Sequence, residues 1–126
     1  MASDGIVAGQ VSVAEGNMNQ ASAPIGSSIG AVDNSNQGRL KMLSVGPTNI
    51  PFGLVTKARL IYVRSKDLAG VDKQVILSIS PGPIALQPIT EFLYVCTPNA
   101  SANITAVAVT APDASGTNVD FIVAGT

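Results

Sequence analysis

Over most of this chain apolar residues recur at every second position, and that period points to strands. A period of two places alternate side chains on opposite faces of an extended segment, whereas a helix needs a repeat near 3.6. Residues 103–111 show it plainly: Ile104, Ala106 and Ala108 alternate with Thr105, Val107 and Val109. The runs Leu60-Ile-Tyr-Val63 and Val75-Ile-Leu-Ser-Ile79 add the β-branched and aromatic residues that favour a pleated surface. Clusters of Gly, Pro, Asn and Ser interrupt these segments at the short intervals of a sandwich or barrel. Strands are predicted over 5–13, 38–46, 54–64, 73–80, 83–87, 91–97, 103–111 and 118–124, with Ser80-Pro-Gly-Pro83 as a turn. No stretch shows a capped, amphipathic helical pattern.

The expected fold is all-β: an antiparallel β-sandwich, jelly-roll-like, formed by residues 38–126. Residues 1–37 read as an extended N-terminal arm or as loosely ordered strands. Within them, 14–37 is rich in Gly, Ser, Ala, Asn and Gln, with only Glu15 and Asp33 charged. A segment like this forms either a loose strand pair within 21–32 or an arm ordered against another chain. A length of 126 residues fits one domain. Fourteen valines and eleven isoleucines supply a core that needs neither disulfide nor metal. Strand parity selects Leu60, Tyr62, Val75, Leu77, Phe92, Tyr94, Cys96, Val107, Val109, Phe121 and Val123 as that core.

The chain contains no histidine. That excludes imidazole acid–base catalysis, Ser-His and Cys-His nucleophiles, and imidazole metal ligands. Gly26-Ser-Ser-Ile-Gly30 matches the G-x-S-x-G nucleophile elbow in letters, but it lacks the strand–helix context and the histidine. Asp33-Asn-Ser-Asn36 places oxygens at alternate positions, as calcium loops do. No bidentate carboxylate follows it, so it reads as an Asx-type turn. Glu91, Asp113 and Asp120 could converge at one end of a sandwich, yet a glycosidase pair works beside aromatic sugar platforms, and the chain has five aromatics in all. No catalytic residue, cofactor site or metal site is expected. Cys96 is the single cysteine, set in an apolar run, and reads as a buried thiol. The sequons at Asn99 and Asn103 read as coincidental, and Met1–Val7 lacks the basic and apolar regions of a signal peptide.

Net charge is −1, too small for a global field toward nucleic acid or an anionic membrane. Its distribution is uneven. All seven basic residues lie between 39 and 73, where only Asp67 and Asp72 oppose them, so that window carries +7 − 2 = +5. Arg39/Lys41 and Lys57/Arg59 are i, i+2 pairs, and each pair shares one face of a strand. If the two strands pair as a hairpin across 46–53, the four cations form one patch suited to an acidic partner. Absence of interleaved aromatics weighs against single-stranded nucleic acid.

From Ala58 onward the order of features resembles a known group. Ala58-Arg-Leu-Ile-Tyr-Val-Arg-Ser65 leads into a polar loop. Val75-Ile-Leu-Ser-Ile-Ser80 leads to a Pro-Gly turn and to Pro83-Ile-Ala-Leu-Gln-Pro88. A Phe92-Leu-Tyr-Val95 strand, an Ala/Thr/Val strand and Val119-Asp-Phe-Ile-Val123 follow. This succession is similar to small β-rich structural proteins of tailed-phage virions, of the head-decoration and minor-capsid type. The resemblance implies a virion location, many-copy symmetric attachment to major capsid or tail proteins, homo-oligomerisation and no catalysis. A carbohydrate-binding or adhesin-like sandwich is the alternative from another functional class.

Overall fold

The structure, a computed structural model, describes residues 3–13, 21–81, 84–85, 88–96 and 104–126; in 3–13, 21–31 and 84–85 it describes the backbone alone. The described residues form ten strands and no helix. Two of them, β1 (Ser3–Val13) and β2 (Ala21–Val32), pair with each other as a separate antiparallel hairpin.

The other eight are nested. β3 (Asn34–Met42) pairs with β10 (Thr117–Gly125), and β4 (Thr48–Asn49) with β9 (Ala106–Thr110). β5 (Ala58–Lys66) pairs with β8 (Glu91–Val95), and β6 (Ile76–Ser80) with β7 (Ile84–Ala85). Pairing first with last, and so inward, makes one long hairpin. Successive pairs alternate between two sheets, and the fold closes where β10 meets β5 and β9 meets β6. The resulting sheets, β3-β10-β5-β8 and β4-β9-β6-β7, form a jelly-roll sandwich.

The strands point their apolar residues into the space between the sheets. Ile61 and Val63 of β5 and Val119, Phe121 and Val123 of β10 face Leu77 of β6 and Val107 and Val109 of β9, all essentially buried. Each such side chain contributes about 1.5–3 kcal/mol by leaving water. The largest of them, Phe121, lies beneath Gly38 of the neighbouring strand, its Cζ 3.5 Å from where a Cβ on that glycine would stand, which is ordinary contact distance.

Four readings of the sequence need correction. β3 begins at Asn34, where a turn was expected: Asn34, Ser35 and Asn36 are extended and pair with Gly125, Ala124 and Val123. Backbone pairing with an already paired strand outweighs the poor strand propensity of these residues. β4 lies inside the stretch expected to be a hairpin turn, because Ile50 is drawn into the core. Leu60 and Tyr62 are half-buried rather than core; Ile61 and Val63 take the inner face. Finally, 54–57 is not strand. A register shift opposite Ala124 and Gly125 inserts Arg59 between two β10 pairings, a bulge that puts both Ala58 and Ile61 inward. The sequons at Asn99 and Asn103, and residues 14–20, lie outside the described residues.

Candidate interaction surface

The outer face of the sheet β3-β10-β5-β8 carries the ordered charges. Register fixes its rows. Arg39, Asp120, Arg64 and Glu91 lie across the four strands in one row, and Lys41, Asn118 and Lys66 form the next. On the other side of the charged row run Gln37, Ile122, Tyr62 and Leu93. Alternating signs along the first row place attraction at every cross-strand step.

Asp120 sits at the centre. Arg39 Nε donates to its Oδ1 at 2.7 Å and Arg39 Nη2 to its Oδ2 at 3.3 Å. That hydrogen bond, with the charges of Arg39, Lys66 and Arg64, holds the carboxyl below its usual range against a smaller opposing effect of burial. The pair is exposed on both sides, 57% and 36%, so it contributes only about 0–1 kcal/mol. Arg64 Nη2 lies 3.6 Å from Asp72 Oδ1. Tyr62 donates its hydroxyl to Glu91 Oε2 at 2.5 Å, and this bond is the main reason that its phenol ionises above the usual value.

The four cations singled out in the sequence are not one patch. β10 lies between β3 and β5, so the two strands do not form a hairpin. Arg39 and Lys41 project from β3. Lys57 precedes β5 at the opposite end of the sheet, where its backbone pairs with Thr126. Arg59 turns toward the inner side, its Nη1 3.8 Å from the buried Cys96 Sγ. In place of Lys57 and Arg59, the register brings Arg64 and Lys66 to Arg39 and Lys41. Sequence reasoning missed this pairing because it rests on which strand enters between β3 and β5. The signal within reach was that Arg64 and Lys66 are themselves an i, i+2 pair.

The three carboxylates considered for catalysis have separate partners. Asp120 is held by Arg39, and Glu91 accepts from Tyr62. Asp113 lies in the β9–β10 loop, where Lys73 Nζ donates to Oδ1 at 2.8 Å and Ser115 Oγ donates to it at 2.6 Å. Lys73 also donates to Ser115 Oγ and to the Gly116 carbonyl, and its side chain is 12% exposed. These contacts tie the β5–β6 loop to the β9–β10 loop and hold Asp113 far below the ordinary carboxylate range, the Lys73 bond being the largest cause. Among the described residues no three carboxylate or thiol side chains gather as a metal site, and no helix is long and apolar enough to cross a membrane. Comparison with protein-family models, with curated proteins and with solved structures finds no match to this chain.

Proposed function

We propose that the chain is a non-enzymatic structural subunit of a tailed-phage virion, a decoration, cement or minor capsid protein held in many symmetric copies by its neighbours. The observation that carries this reading is the hairpin β1–β2. It is a two-stranded sheet joined to the sandwich through the single residue Asp33, whose N–H bonds the Gly125 carbonyl at 2.9 Å. A two-stranded hairpin is marginally stable in water, and three strands or a packed face are needed for it to persist. A neighbouring subunit supplies such a surface. The jelly roll supports the reading as a class, since it recurs in viral capsid and lectin domains, but a fold alone does not choose between these.

The outer-face cluster supplies a second contact. Lys41 and Lys66 form no ion pair with a described carboxylate and suit an acidic neighbour, supported at their edge by the Arg39–Asp120 pair. Individually weak contacts of this kind gain strength by repetition across a lattice.

The test is fractionation of particles produced from the genome that encodes the chain. The chain should travel with particles in a density gradient, and Lys41→Glu/Lys66→Glu should loosen it from them. Recovery of the chain only in particle-free fractions would refute the reading. A shallow groove over the outer face, lined by Gln37, Tyr62, Asp120 and Ile122, favours the carbohydrate-binding alternative. Saturable oligosaccharide binding by a particle-free monomer, lost in Tyr62→Ala, would establish that alternative.

A further inference from the structure

The end of the sandwich away from the hairpin presents exposed aliphatic side chains. Loop 43–47 carries Leu43 and Val45, 63% and 42% exposed, and loop 67–75 carries Leu68 and Val71, 48% and 63% exposed. The loops belong to one surface. Each is tied to the β9–β10 loop: Ala111 N donates to the Val45 carbonyl at 2.8 Å, and Lys73 holds Asp113. Leu68 lies over Gly116, where an added Cβ would stand 2.5 Å from its Cδ1. Single exposed leucines are ordinary on a protein surface; four aliphatics gathered at one end mark an interaction site. Lys41 and Lys66, at the C-terminal ends of β3 and β5, border the group.

The opposite end is its complement. There the hairpin leaves beside Gly125, and the neighbouring loop 50–57 exposes Leu54 at 79%. Residues 1–38 contain Asp4, Glu15 and Asp33 and no base, a charge of −3, while residues 39–126 carry +7 − 5 = +2. One end therefore has an acidic, weakly charged hairpin in need of a packing surface. Among the described residues, the other has an exposed apolar surface bordered by lysines that form no ion pair.

We infer that the loop end, formed by Leu43, Val45, Leu68 and Val71, seats the N-terminal hairpin of a second copy of this chain. This inference rests on the many-copy structural reading above. A copy's own hairpin is poorly placed to fill the seat. β3 spans roughly 30 Å between the two ends, and the single linking residue at its far end provides no four-residue turn with which to fold back. The contact joins two different surfaces, so it closes as a reciprocal exchange between two copies or repeats as a ring or a filament.

Complementary variants of the full-length chain test this directly. Leu43→Asp/Leu68→Asp/Val71→Asp removes the seat, and Ile25→Asp/Ile29→Asp impairs the hairpin. Analytical ultracentrifugation of the wild type should show multimers. Each variant alone should self-associate at least about 100-fold more weakly, since truncated interface anchors each cost tenfold or more. A 1:1 mixture of the two should form a heterodimer, because an intact hairpin meets an intact seat once. Circular dichroism confirms folding, and Leu43→Ser/Leu68→Ser replaces the seat variant if the aspartates unfold it. A monomeric wild type, multimers of the seat variant, dimers of the hairpin variant alone, or no heterodimer in the mixture would each overturn the inference. Particle attachment, measured separately, reports on the virion reading: attachment without self-association sinks only the inference, and self-association without attachment sinks only that reading.

Discussion

Replacing Ile61 by alanine should destabilise the fold far more than the same change at Leu60, one residue away. Ile61 is fully buried between the sheets, whereas Leu60 lies on the outer face and is half-buried. Ile61→Ala removes three carbons. At about 0.8 kcal/mol per buried methylene the transfer term is roughly 2.4 kcal/mol. The cavity left between β10 and β8 adds to it, for a total of about 2–5 kcal/mol. Leu60→Ala loses a partly exposed contact and should cost less than about 1 kcal/mol. With a urea dependence of roughly 2 kcal/mol per molar, the Ile61 variant should shift its midpoint down by about 1–2.5 M, and the Leu60 variant by under about 0.5 M. The assay is equilibrium urea unfolding followed by circular dichroism, at dilution low enough that self-association does not inflate stability. Val63→Ala should follow Ile61. A Leu60 cost equal to or above that of Ile61 would refute the assignment of faces on β5, and with it the outer-face rows built on Arg64 and Lys66.

Lys73→Met should lower thermal stability by about 1–3 kcal/mol, because it leaves the Gly116 carbonyl and the Asp113 loop without their shared donor; an unchanged melting temperature would show that the loops are held otherwise. Asp113 and Asp120 have carboxyls lowered by folding. Their contribution is present above the unfolded value near pH 4 and is lost as pH falls through the folded values, so melting temperature should drop below about pH 4, less steeply in Asp113→Asn. Both tyrosines ionise above their ordinary value, Tyr62 mainly through its bond to Glu91 and Tyr94 mainly through burial. Spectrophotometric titration of the folded chain should therefore show absorbance rising later than in urea, and stability should fall as pH climbs through 10; coincident curves would contradict it. Gly125→Ala should strongly destabilise the sandwich, since the new Cβ would fall on the Lys57 carbonyl oxygen at the bulge; a near-neutral melt would mean that β5 and β10 part there at little cost.

The period of two made the all-β class legible, and β-branched runs located β5, β6, β9 and β10. These signals are local. Which way β5 faces was harder, because all four residues of Leu60–Val63 are apolar and either parity hides two of them. Lys57 and Arg59 suggested one answer and Arg64 and Lys66 the other. The bulge at Arg59 reconciles them: it interrupts the alternation, so only the charges on the far side report the parity of the strand. β4 was invisible because two residues, Thr48 and Asn49, carry no pattern. The candidate patch failed for a different reason. Arg39 and Lys41 were rightly placed on one strand face, but their neighbours depend on a strand 80 residues away in sequence, Thr117–Gly125, entering between β3 and β5. Charge pairs across such distances have no local signature.

Nesting first strand with last also governs how the chain can be made. β10 is interior to its sheet, bonded to β3 on one side and β5 on the other. As a nascent chain leaves the ribosome, β3 has no partner until the residues from Thr117 to Gly125 emerge, and β4 waits for β9. Within the sandwich only β6 with β7, across residues 81–83, and then β5 with β8 around that pair, can close before β9 and β10 are made. Closing the outermost pair requires the loop entropy of the whole intervening chain, and such non-local pairing slows folding. The sandwich therefore closes only once β10 has been made. Until then the free edge of β3 and the apolar inner faces stay exposed to other chains emerging nearby. A polysome holds such chains at high local concentration, which gives a β1–β2 hairpin that has already formed time to encounter a neighbour before its own domain has closed.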